Sequence, residues 1–285
     1  MSFDALVPQD MAKKAESVGV AKVSLGPFRL FALAVLAGAF IGLGAIFATT
    51  VTTGVSAAYP FGITKLLGGL VFCLGLILVI GAGAELFTGN NLIVMAWADR
   101  KISSKSLLYN WVVVYLGNFV GSILTAVMMY WSKQYTFSGG AVGLNALNIA
   151  NGKVNLEFGQ ALVLGILCNA LVCLAVWLSL GARSATDKIV AIIFPITAFV
   201  AAGFEHCVAN MYFVPMGLFI KAGADGTFWS NVGKTAADFA NLTWGNFFVV
   251  NLLPVTIGNM IGGVGLVGLV YWFIYLRPSW TGRNS

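Results

Sequence analysis

One histidine, His206, occurs in the 285 residues, and Glu205 is its immediate neighbour. Both lie in Gly203-Phe204-Glu205-His206-Cys207-Val208-Ala209-Asn210, inside a strongly apolar run. An ionisable pair in hydrocarbon is costly and marks a working position by default. An imidazole there can donate to an anion and, once protonated, hand it a proton. The alternative is a neutral histidine plugging a helix carbonyl. Its uniqueness and its place at a helix break favour function. A related run, Gly83-Ala84-Glu85-Leu86-Phe87-Thr88-Gly89-Asn90, occurs earlier. One constant shift carries Gly83 onto Gly203, Glu85 onto Glu205, Asn90 onto Asn210 and Val94 onto Val214. A longer one carries Asn110, Gly117, Asn118 and Gly121 onto Asn251, Gly258, Asn259 and Gly262. The chain is an internal duplication, and polar residues interrupt the centre of each half.

Symmetry helps to divide the polar residues between roles. Glu85 and Glu205 are equivalent, which favours a scaffold role in which each carboxylate accepts backbone N–H groups freed at its own break; a substrate contact is the alternative. Asn118 and Asn259 read as interhelical hydrogen-bonding residues. Thr88 has Val208 as its repeat partner, and that asymmetry points to a Thr88–His206 hydroxyl–imidazole pair, against an ordinary turn threonine. Phe72, Leu76, Leu86, Phe87 and Phe199 are apolar neighbours of the breaks, either gates or plain core.

These residues need a membrane around them. The chain is 59% hydrophobic and 9% charged, with a mean hydropathy of +0.90, whereas soluble domains carry about 25% charged residues. Alternating apolar and polar ten-residue segments, the mark of an outer-membrane barrel, are absent. The net charge of +6 follows a positive-inside pattern. With a cytoplasmic N-terminus and six spans, only Lys65, Lys133, Lys153, Lys221 and Lys234 of the 16 basic residues fall outside. No basic stripe remains for nucleic acid. Cys73, Cys168, Cys173 and Cys207 all fall in apolar spans and read as small core residues.

Residues 1–27 read as a cytoplasmic amphipathic helix without the core of a signal peptide, either capping the surface or acting as a gate. Residues 28–276 form one channel-like domain, with repeats at 28–131 and 158–276, and residues 277–285 are a tail. The spans are about Phe28 to Thr50, 63–98, Leu107 to Trp131, Phe158 to Leu180, 188–221 and Asn246 to Tyr275. Residues 63–98 would make a helix of about 54 Å, too long for one crossing, so this span breaks, at Thr88-Gly89-Asn90-Asn91. The fifth breaks likewise at Glu205–Asn210, between Pro195 and Pro215. Asn151-Gly152-Lys153 reads as a turn in an external segment, 132–157. Three spans per repeat place the second repeat upside down, so the fold class is all-α, with six transmembrane helices in an inverted 3+3 repeat. Two broken helices then meet near the midplane, the expected place for a pore.

Glu-Leu-Phe-Thr-Gly at 85–89, Gly-Phe-Glu-His-Cys-Val-Ala-Asn-Met at 203–211 and Thr-Ile-Gly-Asn-Met-Ile-Gly-Gly at 256–263 resemble motifs of the formate/nitrite transporter family. The run Asn-Leu-Leu-Pro-Val-Thr-Ile-Gly-Asn at 251–259 resembles its formate channels most, with Val-Pro-Met-Gly at 214–217 and Pro-Phe-Gly at 60–62 in support. The resemblance covers nearly the whole chain. It implies an aquaporin-like protomer in a homopentamer, one substrate pore per protomer, His206 at its centre and Thr88 beside it. It also implies that Phe72, Leu76, Leu86 and Phe199 form apolar constrictions, and that Asn169, Lys153 and Asn210 line the anion's route. Cys207 stands where the family commonly has serine.

The expected function is therefore a bidirectional, pH-dependent channel for formate and related small anions in the bacterial inner membrane, with both termini cytoplasmic. Nitrite or hydrosulfide on the same fold, and proton-coupled symport, are the rivals. A scaffold protein leaves Glu85, Glu205 and His206 unexplained. One histidine, no carboxylate cluster, no P-loop and no metal-ligand spacing argue against an enzyme, and no cofactor or metal is expected.

Overall fold

Residues 4–54 and 59–277 are described by a computed structural model; the expected tail over 277–285 lies outside them apart from its first residue. Among the described residues every regular element is a helix and no strand occurs. The uninterrupted spans are α2 (Pro27–Val51), α5 (Ser104–Trp131), α7 (Phe158–Gly181) and a last span over residues 244–275. Each is long and apolar enough to cross a ~30 Å core. The two broken spans are α3 (Phe61–Ala82) with a 3₁₀ turn (Gly89–Ile93) and α4 (Val94–Ala98), and α8 (Ala185–Ala201) with α9 (Cys207–Gly223).

Local chemistry sets the ends. Pro27 opens α2 at a position whose N–H would be unpaired in any case. The Ser103 hydroxyl caps α5, and Ser184 and Asp187 form a capping box on α8. The expected breaks are real, but glycine starts them. Gly83 (φ +79°) and Gly203 (φ +74°) turn left-handed, and the N–H beyond each returns to the preceding helix, Ala84 to Val79 O at 2.9 Å and Phe204 to Phe199 O at 3.0 Å. Pro195 and Pro215 lie within α8 and α9, away from the break.

Asn151-Gly152-Lys153 is helix, not turn. It belongs to α6 (Ala141–Val154), whose Val142, Ala146, Leu147, Ala150 and Val154 are buried. Methyl contact with α9 decides the matter: Gly217 of α9 is small enough for Ala150 to sit against it. The N-terminal helix α1 (Pro8–Val23) is likewise more than a surface cap. Met11, Ala12, Ala15 and Gly19 are buried, the Lys14 ammonium donates to Leu180 O at 2.8 Å, and Lys22 reaches the first break.

Candidate functional site

Each break leaves backbone groups that the hydrocarbon cannot satisfy. Asparagine side chains from the helix packed alongside satisfy them twice over. Asn118 of α5 accepts from the Phe87 N–H at 2.8 Å and donates to Glu85 O at 2.9 Å and Ala34 O at 2.7 Å. Asn259 of the last span accepts from the Cys207 N–H at 2.9 Å and donates to Glu205 O at 2.9 Å and Gly165 O at 2.8 Å. The Glu85 and Glu205 N–H groups go to Leu33 O and Leu164 O, at 3.2 and 3.3 Å.

The carboxylates do something other than expected. Glu85 accepts from the Lys22 ammonium at 2.7 Å and from Asn90 Nδ2 at 2.7 Å, and Asn90 also donates to Asn110 at 2.9 Å. Glu205 accepts from Lys153 at 2.8 Å and from Asn210 Nδ2 at 2.7 Å, and Asn210 donates to Asn251 at 2.7 Å. Freed backbone goes to the asparagines instead, because a carboxylate this buried needs a counter-cation more than another neutral donor. The two networks differ in detail: Asn251 Nδ2 also donates to Glu205 Oε2 at 3.2 Å, and the amide oxygens of Asn90 and Asn210 are treated differently. Lys22 also donates to Asn90 Oδ1 at 3.0 Å, whereas Asn210 Oδ1 is buried without a partner and Lys153 lies over the Phe213 ring, 5.4 Å from its centre.

Each network opens on a cavity. The first, about 450 Å³, is bordered by Lys22, Glu85 and Asn90; the second, about 550 Å³, by Lys153, Glu205, His206 and Asn210. The wall between them is about one turn of α3 thick, with Leu76 facing the first cavity and Phe72 the second. Leu86 borders the first cavity and Phe199 the second; Phe199 meets Phe72 edge-on at 5.6 Å and lies 6.0 Å from the His206 ring. All four are buried, so apolar side chains separate the two cavities.

At the wall, Thr88 Oγ1 lies 3.0 Å from His206 Nε2. His206 is also the N-cap of α9, its Nδ1 accepting the Ala209 N–H at 3.1 Å. An accepting Nδ1 carries no proton, so the ring is neutral, with its hydrogen on Nε2, donated to the Thr88 oxygen. The Thr88 hydroxyl hydrogen is left to point elsewhere.

The sequence model of the "Formate/nitrite transporter" family matches residues 9–273. This chain belongs to that family. It is 49% identical over 277 residues to the formate channel FocA of Escherichia coli K12, covering 97% of both chains, and 42% identical over 269 residues to the FocA of Haemophilus influenzae, covering 94% of both. A solved pentameric formate channel with formate bound superposes with a TM-score of 0.84 at 50% identity, over 88% of this chain and 98% of that one. The chain is thus a multi-pass membrane protein, with the inverted six-span architecture of its family.

The structure brings His206, Thr88, Phe72, Leu76, Leu86 and Phe199 together at the wall. Lys153 and Asn210 stand in the second cavity, tied to Glu205. Two expected pore residues stand behind the wall instead. Phe87 turns its ring onto Tyr115, 4.9 Å between centres, and Asn169 donates to Asn91 Oδ1 at 2.8 Å and Asn259 O at 2.7 Å. Lys22 was missed by sequence reasoning, although Lys-Val-Ser-Leu at 22–25 recurs as Lys-Val-Asn-Leu at 153–156. That echo pairs α1 with α6, so each repeat is preceded by a short helix that ends in a lysine-bearing turn.

Proposed function

We propose that this chain is one protomer of a homopentameric channel passing formate and related small monovalent anions in both directions across the bacterial cytoplasmic membrane. Residues 1–27 and the Lys22 cavity face the cytoplasm, the Lys153 cavity faces outward, and the pore-lining set is the wall residues with Lys153 and Asn210. The carrying observation is the Thr88–His206 pair, set in an apolar wall between two cavities that each hold a half-buried lysine. At each end an ammonium, neutralised by its buried carboxylate, offers an arriving anion a short-range charged contact. The wall then opposes a bare charge through desolvation. The Thr88 hydroxyl hydrogen is free there for a carboxylate oxygen, and Nε2–H reaches one by leaving the Thr88 oxygen.

Proton transfer to the anion asks more of the ring. Nδ1 must first be loaded, and that means giving up the Ala209 N–H, a cap worth about 1 kcal/mol. Passage as the neutral acid therefore goes with rotation of His206 out of its capping position, and pH dependence enters through that step.

The test is formate flux into proteoliposomes from about pH 5 to about pH 8, for wild type and His206→Asn. A hydrogen bond to a charged group is worth about 1.5–3 kcal/mol, so the variant should conduct roughly 10- to 100-fold less and lose its change with pH. Equal flux at every pH would reduce His206 to a structural plug. Nitrite and hydrosulfide run beside formate rank the substrates, and a reversal potential that shifts with ΔpH marks symport.

A further inference from the structure

Thr88 and its repeat partner Val208 are each held from behind by the opposite repeat. The Thr88 carbonyl accepts from Asn169 Nδ2 at 3.3 Å and from the Cys173 thiol at 3.4 Å, both on α7. The Val208 carbonyl lies 3.4 Å from the Ser122 hydroxyl of α5, which also lies 3.3 Å from Gly38 O. The shift that carries Leu33 onto Leu164 carries Gly38 onto Asn169, and the one that carries Asn118 onto Asn259 carries Ser122 onto Gly263. Each repeat therefore supplies one donor side chain and one glycine, and the two have changed places.

Close packing fixes both glycines, Gly263 against the Asn169 side chain and Gly38 against the α5 main chain. A methyl group on Gly263 would overlap Asn169 Nδ2 and lie 2.9 Å from Asn91 Oδ1. One on Gly38 would overlap Asn118 O and lie 2.9 Å from the Ser122 nitrogen. Such close approaches cannot be relieved in a packed interior without moving a neighbour. Gly263 also sits in a π-helical stretch, Ile261–Leu269, and such stretches recur at functional sites.

We propose that Asn169 and Gly263 are a positioning pair. The glycine leaves room for the Asn169 amide, and the amide holds the Thr88 main chain so that its hydroxyl faces His206. The same amide takes the carbonyl of Asn259, whose side chain grips Glu205 O and the Cys207 N–H, so one residue links the two breaks. This rests on the reading of Thr88 and His206 as the selective contact of the pore.

The test uses the full-length pentamer in proteoliposomes, with formate flux followed against pH. The variants are Thr88→Val, Asn169→Gly, Gly263→Ser and the double Asn169→Gly/Gly263→Ser, which transplants the Gly38–Ser122 arrangement. Gly268→Ala is the control, since it crowds Val94 Cγ1 at 2.5 Å on the same stretch. Each single variant should shift the pH profile toward that of Thr88→Val and cut flux roughly 3- to 10-fold, while the double returns to within about twofold of wild type, the coupling expected of neighbours in one network. Gly268→Ala should keep the wild-type profile. A double as impaired as the product of its singles overturns the pair, as do singles that lower flux evenly at every pH. If a single variant fails to assemble, the double decides alone: a wild-type profile supports the pair and a Thr88→Val profile refutes it. A wild-type profile for Thr88→Val removes the pore reading and this inference together, whereas a shifted Thr88→Val beside unshifted singles removes this inference only.

Discussion

Lys153→Met takes the cation out of the second cavity and strands a carboxylate. The Lys153 and Glu205 side chains are 14% and 6% exposed, and their charged atoms are 2.8 Å apart. At an effective dielectric of 20 the gross attraction is about 6 kcal/mol. Desolvation of both ions offsets most of it, so a neutral pair of similar shape should be nearly as stable. Removing one partner is different, because Glu205 stays buried with Oε1 bare. Asn210 and Asn251 still donate to Oε2, at 2.7 and 3.2 Å, which places the expected cost at about 3 kcal/mol, the low end for a broken buried pair. Lys153→Met/Glu205→Gln should cost only about 1 kcal/mol, about 2 kcal/mol less than Lys153→Met, and the coupling exceeds that difference by whatever Glu205→Gln costs alone. Unfolding by SDS in mixed micelles, followed by tryptophan fluorescence, measures all three variants. A single variant within about 0.5 kcal/mol of wild type, or strictly additive costs, refutes this account. The double then serves as a folded channel without the outer cation. Because a cation and an anion leave together, the net charge is unchanged and its formate uptake should keep the wild-type dependence on ionic strength.

The capping role of His206 separates from its pore role by choice of side chain. His206→Asn keeps an acceptor for the Ala209 N–H and should unfold close to wild type, while His206→Leu loses the cap and about 1 kcal/mol with it. Both should lose flux, and equal stabilities in the same SDS titration would remove the capping assignment. Gly203→Ala meets no steric obstacle but forces a β-carbon into φ +74°, for a cost of about 1–2 kcal/mol. Gly203→Asn should cost less than alanine, and the reverse order would show that the left-handed turn is not what the glycine serves.

How much of this was legible in the chain depends on what kind of quantity it was. Membrane insertion, six spans, two breaks and their inverted relation follow from hydropathy, length and recurrence, all of which are properties of order along the sequence. Glu85, Glu205, Asn118 and Asn259 stood out because each has its own echo, and the Thr88–His206 pair because Val208 breaks one. Tertiary structure decided the partners. Glu85 and Glu205 take lysines rather than freed backbone, since burial makes a counter-ion the cheapest neighbour and α1 and α6 bring one within reach. Asn151-Gly152-Lys153 is a good turn sequence locally, yet packing on α9 makes it helix. Family resemblance puts Asn169 on the anion's route, and the structure turns it behind Thr88. The exchange of Gly38–Ser122 for Asn169–Gly263 leaves no repeat to find, because the donor changes place between the repeats and its contacts form only in space.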